Sequence, residues 1–261
     1  MQFIPELNHW FMVLTISLPR IMVIFNVLPF LGRRVMPAGI RNSLAISLSV
    51  ITLPIVSAQV GARDFDLAFW FAIIAKEAIL GLMIGYVLGI IFWAVAAVGE
   101  LIDTQRGALT ANLFSPMISD QTSITGALFA QLAGVILLTS GGMLVLLNVI
   151  YRSYLLWPVD SYFPVLNIAG VTIFLQLLDS VMYIMLLLAG PLVIVMFLVE
   201  AGFALLGRFV PQINVFLLAM PVKSALAYLL LGVYAIYIVK YIHIKFLEFG
   251  SVVQILDKIL R

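Results

Sequence analysis

Cysteine is absent from this 261-residue chain, histidine occurs only twice, and charged residues make up only 10% of the sequence. The lack of cysteine excludes disulfides, thiolate nucleophiles and thiolate metal sites. His9 and His243 stand far apart and unaccompanied, which offers no metal-ligand spacing. Scarce charge excludes a normal wetted surface, because soluble domains carry about 25% charged and about 45–50% apolar residues. Here 64% of the residues are apolar. The net charge is +2, and no basic run extends beyond Arg33-Arg34, so nothing offers a grip for nucleic acid.

What the chain does have is long apolar runs, with a mean hydropathy of +1.20. About 20 apolar residues cross one hydrocarbon core, which leaves room for roughly six crossings and no soluble module. The runs lie at 10–32, 42–60, 67–98, 126–150, 171–199 and 213–239. The tail, 240–261, places Ile242, Phe246, Phe249, Val253, Leu256 and Leu260 at helical spacing and reads as an amphipathic helix. The first run has no basic region before it and no small-residue cleavage site, so it reads as a retained helix and not a signal peptide. Continuous runs of this length are helical, since a barrel shows alternating segments of about ten residues. The expectation is an all-α, multi-pass integral membrane protein forming one domain over 1–261.

Loop charge conflicts with six complete crossings. Arg33, Arg34 and Arg41 place the first loop in the cytoplasm, and Lys240, Lys245, Lys258 and Arg261 place the tail there too. An even number of crossings separates them onto opposite sides. Either the tail disobeys the rule, or one run is broken. The last run is the best candidate for a break, with Pro221 and Lys223 inside it. Pro19-Arg20 and Lys76-Glu77 interrupt other runs in the same manner. Such helices would pack mainly on protein.

Four polar features carry the functional reading. Glu100, Asp103 and Arg106 follow an i, i+3, i+6 spacing that lets Arg106 pair with Asp103; with Gln105 they form either an ordinary charged helix end or a subunit contact or gating joint. The stretch that follows mixes turn formers with Leu109, Leu113, Phe114, Met117 and Ile118. It reads as an exposed connector or as a segment packed into a passage. Pro211, Gln212, Asn214, Pro221 and Lys223 form a second polar island, either a kinked helix end or a subunit interface. Gly81, Gly85 and Gly89 share one helical face and invite close helix packing. Asp179 and Glu200 read as helix-end markers at the headgroups, and Trp10, Trp70, Trp93 and Trp157 as interfacial anchors. No His, Ser triad or metal set accompanies the carboxylates, so no enzyme activity and no cofactor is expected.

The ordered motifs Gly99-Glu100-Leu101-Ile102-Asp103-Thr104-Gln105-Arg106-Gly107, Ser115-Pro116-Met117 and Pro211-Gln212-Ile213-Asn214-Val215-Phe216 resemble the FliR/SctT family of type III secretion export gates, over essentially the whole chain. Gln105-Arg106-Gly107 and Met220-Pro221-Val222-Lys223-Ser224 look more like its virulence branch than its flagellar branch. The resemblance implies a subunit that assembles with SctR/FliP-type and SctS/FliQ-type proteins into a tapered helical channel in the bacterial inner membrane, the entry for unfolded secretion substrates. It also implies a docked SctU/FlhB-type switch protein and contact with membrane lipid. The family's plug loop matches 107–121, so that Gly107, Ala108, Leu109, Thr110, Ala111, Asn112, Leu113, Phe114, Ser115, Pro116 and Met117 would close the channel. Export energy would come from an ATPase and the proton-motive force elsewhere in the machine. A secondary transporter of small molecules or ions is the competing reading, because broken helices with polar islands also mark that class.

Overall fold

A computed structural model of the chain describes residues 3–32, 35–61, 67–108, 123–161, 168–212 and 214–247. Among these the chain is helical: α1 (Phe3–Val27), a single 3-10 turn (Pro29–Leu31), α2 (Ala38–Val60), α3 (Leu67–Gln105), α4 (Ile124–Thr139), α5 (Gly142–Leu156), α6 (Ile168–Phe209) and α7 (Val215–Leu247). No strand occurs among the described residues. Among the described residues five helices are long and apolar enough to cross a membrane, or six if α4 and α5 are counted together as one broken span. Helices satisfy their own backbone hydrogen bonds, which apolar chain in lipid requires. The protein is therefore an all-α, multi-pass membrane protein.

The break falls elsewhere than Pro221. Helix α7 runs uninterrupted through Pro221 and Lys223. The apolar run 126–150 is instead divided into α4 and α5. The turn is made at Gly141, whose φ of 74° is a left-handed conformation that costs glycine little. Ser140 closes α4 by donating its N–H to the Ile136 carbonyl, and Leu144 N–H returns to the Gly141 carbonyl to open α5.

Several helices outrun their hydropathy. Helix α3 continues past residue 98 to Gln105, taking Glu100 and Asp103 into its last turns. Helix α6 continues past Glu200 to Phe209, so only residues 210–214 separate it from α7. Asp179 and Glu200 thus lie within α6 and not at its ends. The final residues of the amphipathic tail, 248–261, lie outside the described residues, as do Arg33 and Arg34.

The chain forms two compact units. The first comprises Met1–Ile90, Gly141–Leu177 and Leu247–Arg261. Here α1 packs on α2 and on the first half of α3, around a core that includes Val13, Ile16, Ile24, Phe25 and Leu28. Gly81 sits so close to α1 that a β-carbon would stand 2.5 Å from the Arg20 carbonyl oxygen. One turn on, a β-carbon at Gly85 would meet the Val27 β-carbon at 3.0 Å. Two of the three patterned glycines therefore serve a contact inside the chain. The second unit comprises Ile91–Ser140 and Leu178–Phe246. Its tightest approach joins α3 to the start of α4, where a side chain at Gly99 would collide with the Gly126 backbone.

Candidate functional site

Buried charge in an apolar helical protein is costly unless it is paired and hydrogen-bonded, so each unit's charged side chains mark what it specifies. In the first unit, Arg20 is fully buried although it follows Pro19 in the middle of α1. Its guanidinium donates twice to Glu77 of α3, from Nε at 2.7 Å and from Nη2 at 3.0 Å. Two further donors reach the Ser153 hydroxyl and the Trp157 carbonyl, each at 3.1 Å. The Tyr154 ring lies 4.1 Å beneath the guanidinium, and its hydroxyl donates to the Ser17 carbonyl at 2.6 Å. Lys76 stands 3.2 Å from Glu77 and donates to three carbonyls after α5, those of Pro158, Val159 and Ser161. Gln59 of α2 closes the cluster by bonding the Tyr154 carbonyl and the Val159 N–H. Arg20 makes four hydrogen bonds and Lys76 three, and the result is a clamp across four helices.

Sequence reading flagged Pro19-Arg20 and Lys76-Glu77 as irregularities without pairing them. Trp157, expected at an interface, is buried against this clamp. Trp10 is half exposed, as an anchor would be.

The second unit gathers its charges at the exit of α3. Asp103 is buried and accepts four hydrogen bonds: from Arg106 Nε at 2.9 Å, Thr125 Oγ1 at 2.6 Å, Ser123 Oγ at 2.6 Å and the Thr125 N–H at 3.0 Å. Ser123 also caps α4, accepting from the Gly126 N–H at 2.8 Å. One carboxylate thus ties the end of α3 to the start of α4. Of the 18 residues between those ends, 109–122 lie outside the described residues, and they contain Leu109 through Met117 of the expected plug. Gly107 and Ala108 are described: Gly107 adopts φ 81° and is buried against Met220. Glu100, expected on the same face as Asp103, is exposed.

Three helices meet beside this carboxylate. Lys223 of α7 is buried and donates to the Gln105 carbonyl at 3.1 Å and to Glu200 of α6 at 3.3 Å. Glu200 also accepts from the Gln105 side-chain amide at 3.4 Å. Arg106 lies 4.8 Å from the Tyr228 ring centre. Lys223 was singled out as a break in an apolar run and Glu200 as a headgroup marker; the structure pairs them. Pro211, Gln212 and Asn214 are exposed between α6 and α7, and Asn214, just before α7, accepts from the Leu217 N–H at 3.5 Å. Pro191, Leu192, Val195, Leu230, Val233, Tyr234 and Tyr237 line an apolar cavity of about 200 Å³ between the same two helices.

No cluster of three metal-ligating side chains occurs among the described residues. The hydrogen bonds of Asp103 fix where the chain leaves α3 and where it enters α4.

Comparison with known proteins adds a separate finding. The family model described as bacterial export proteins, family 1, matches residues 11–249. Yop proteins translocation protein T of Yersinia pestis is 42% identical over 221 residues, 84% of this chain and 84% of that protein. Secretion system apparatus protein SsaT of Salmonella typhimurium is 33% identical over 87% of this chain and 88% of its own length. Flagellar biosynthetic protein FliR of Bacillus subtilis is 30% identical, with coverage of 81% and 82%.

Proposed function

Because the chain belongs to family 1 of the bacterial export proteins, the FliR/SctT family, we propose that it is a structural and gating subunit of a type III secretion export apparatus, in which the loop 109–122 obstructs a passage for unfolded protein. Greater identity to relatives named for translocation and secretion than to the flagellar one supports the virulence branch. The same reading gives it SctR/FliP-type, SctS/FliQ-type and SctU/FlhB-type partners and a place in the bacterial inner membrane. Its role is mechanical, with export energy supplied elsewhere in the machine.

The observation that carries the gating reading is the hold of Asp103 on both ends of the loop. A connector between two helices needs no such closure, and most connections in compact domains are about 4–6 residues long. A longer segment closed at its base is a discrete element that can be placed in a passage and displaced as one piece. Bare apolar faces on α6 and α7, including Phe197, Leu205, Leu229 and Ile236, suit a chain whose neighbours are lipid and other apolar subunits.

Deleting 111–115 in the assembled complex tests the gate. The expected result is passage of small solutes across the membrane with the complex still intact; an unchanged barrier overturns the reading. Partner assignment is checked separately by co-purification with smaller hydrophobic proteins. A chain that is stable alone and moves a solute in liposomes would instead be a transporter.

A further inference from the structure

We infer that the start of α2 binds the phosphate of an anionic phospholipid, held by Arg41 and by the N–H groups of the helix's first turn. Arg41 closes that turn, within the first unit, and is only 5% exposed. Its Nε is enclosed without a hydrogen-bond partner, and its side chain makes no hydrogen bond or ion pair among the described residues. Arg20, buried in the same unit, makes four. Glu77, the buried carboxylate of this unit among the described residues, is already taken by Arg20 and Lys76. A guanidinium withdrawn from water without a counter-charge is costly, so this position calls for an anion.

The helix start supplies the remaining donors. Helix α2 begins at Ala38, and Pro37 before it gives no side-chain cap. The Arg41 N–H turns back to the Pro37 carbonyl at 3.1 Å. The N–H groups of Ala38, Gly39 and Ile40 therefore have no partner within the helix and stand at its positive end. Side chains on a helix lean toward its start, and residues four apart share a face, so Arg41 and position 37 lie on one side of this turn. Pro37, Ala38, Gly39 and Ile40 are exposed, which leaves a route in. A guanidinium fork beside unpaired backbone N–H groups is a donor set that fits phosphate.

Position chooses among anions. Helix α2 is long and apolar enough to span a membrane from Ala38 onward, so its first turn lies at headgroup depth. Val35 and Ile40, each 57% exposed, set apolar side chains beside that turn for an acyl chain to cover. Arg33 and Arg34 precede it in sequence. Connectors of such charge face the cytoplasm, where anionic lipid makes the surface negative. A zwitterionic headgroup would bring its own ammonium to a site that already holds a guanidinium.

The test takes the chain with the membrane proteins that co-purify with it, in detergent, and reads its melting temperature. Phosphatidylglycerol is expected to raise it by several degrees, and phosphatidylcholine or inorganic phosphate far less. Arg41→Gln is expected to cut the phosphatidylglycerol shift to that of phosphatidylcholine. Pro37→Asp decides the matter if Arg41→Gln fails to accumulate. Aspartate suits the extended backbone there (φ −55°, ψ 144°) and stands four residues before Arg41. It supplies the anion from the chain itself, so the melting temperature should rise without lipid and no longer respond to phosphatidylglycerol. An equal response from the unmodified chain and the variants overturns the site. Inorganic phosphate that matches phosphatidylglycerol overturns the lipid assignment in favour of a soluble anion. A chain insensitive to phosphatidylglycerol overturns the inference outright; if Arg41→Gln then also breaks co-purification, the anion is a carboxylate of a neighbouring subunit.

Discussion

The two ionic clusters invite comparison because the same residue types serve opposite ends. In the first unit, Arg20, Lys76 and Glu77 sit within helix interiors and are buried together. In the second, Asp103, Arg106, Glu200 and Lys223 collect where α3 ends, and Glu200 remains partly exposed. The first cluster holds two cations and one anion, all enclosed; the second balances two of each with one member in contact with its surroundings. Complete enclosure in the middle of helices fixes packing and permits no alternative arrangement. Partial exposure leaves one ion pair, Lys223–Glu200, that can be exchanged for solvent. A buried ion pair need not stabilise a fold relative to apolar substitutes, but removing one partner is severe.

The largest effect is therefore expected at Glu77. Glu77→Gln leaves Arg20 and Lys76 as two buried cations opposed only by the part-exposed Asp160 near Lys76, a loss of about 3–5 kcal/mol. The chain should then fail to accumulate in membranes, as measured by its level in the membrane fraction. Arg20→Met leaves the Lys76–Glu77 pair neutral and should be milder. Equal loss from both variants would break the charge argument.

Next comes Asp103→Ala. It strips the acceptor from Ser123, Thr125 and Arg106, and hydrogen bonds to a charged group contribute about 1.5–3 kcal/mol each. Its effect should be local: faster proteolytic cleavage within 109–122, followed by mass spectrometry, in a complex that still assembles. Asp103→Asn keeps an oxygen acceptor and should fall between. Global loss of the chain would instead make this cluster equivalent to the first.

Smaller again are the close helix contacts. Gly81→Ala and Gly99→Ala place a β-carbon against backbone, and overpacking of this kind costs about 1–3 kcal/mol. Both should lower the melting temperature in detergent. Gly190→Ala meets nothing within 4 Å and removes a poor helix former, so a gain of up to about 1 kcal/mol is expected. If all three behaved alike, the contacts at 81 and 99 would not be what the glycines serve.

Helix number was legible because hydropathy reports directly on what lipid demands of a chain. The ends of helices were not. Nothing local says that α3 survives Glu100 and Asp103; what sustains it is Ser123 and Thr125, some twenty residues on. Arg20 and Glu77 are 57 residues apart, and no spacing rule pairs them. The divided run at 126–150 kept its hydropathy through Gly141, since a left-handed glycine changes direction without changing polarity. The Asp103–Arg106 pair was legible, being three residues apart on one helix.

The closure made by Asp103 also sets a radius. Sixteen residues separate Arg106 from Ser123, both held by Asp103, and span at most roughly 3.3–3.6 Å each when fully extended, so a segment that must return to its start can project no farther than about 28 Å. On the gating function proposed above, a single copy obstructs only an opening whose far wall lies inside that sweep. An opening any wider has to narrow around the incoming chain, or borrow its remaining stopper from another subunit.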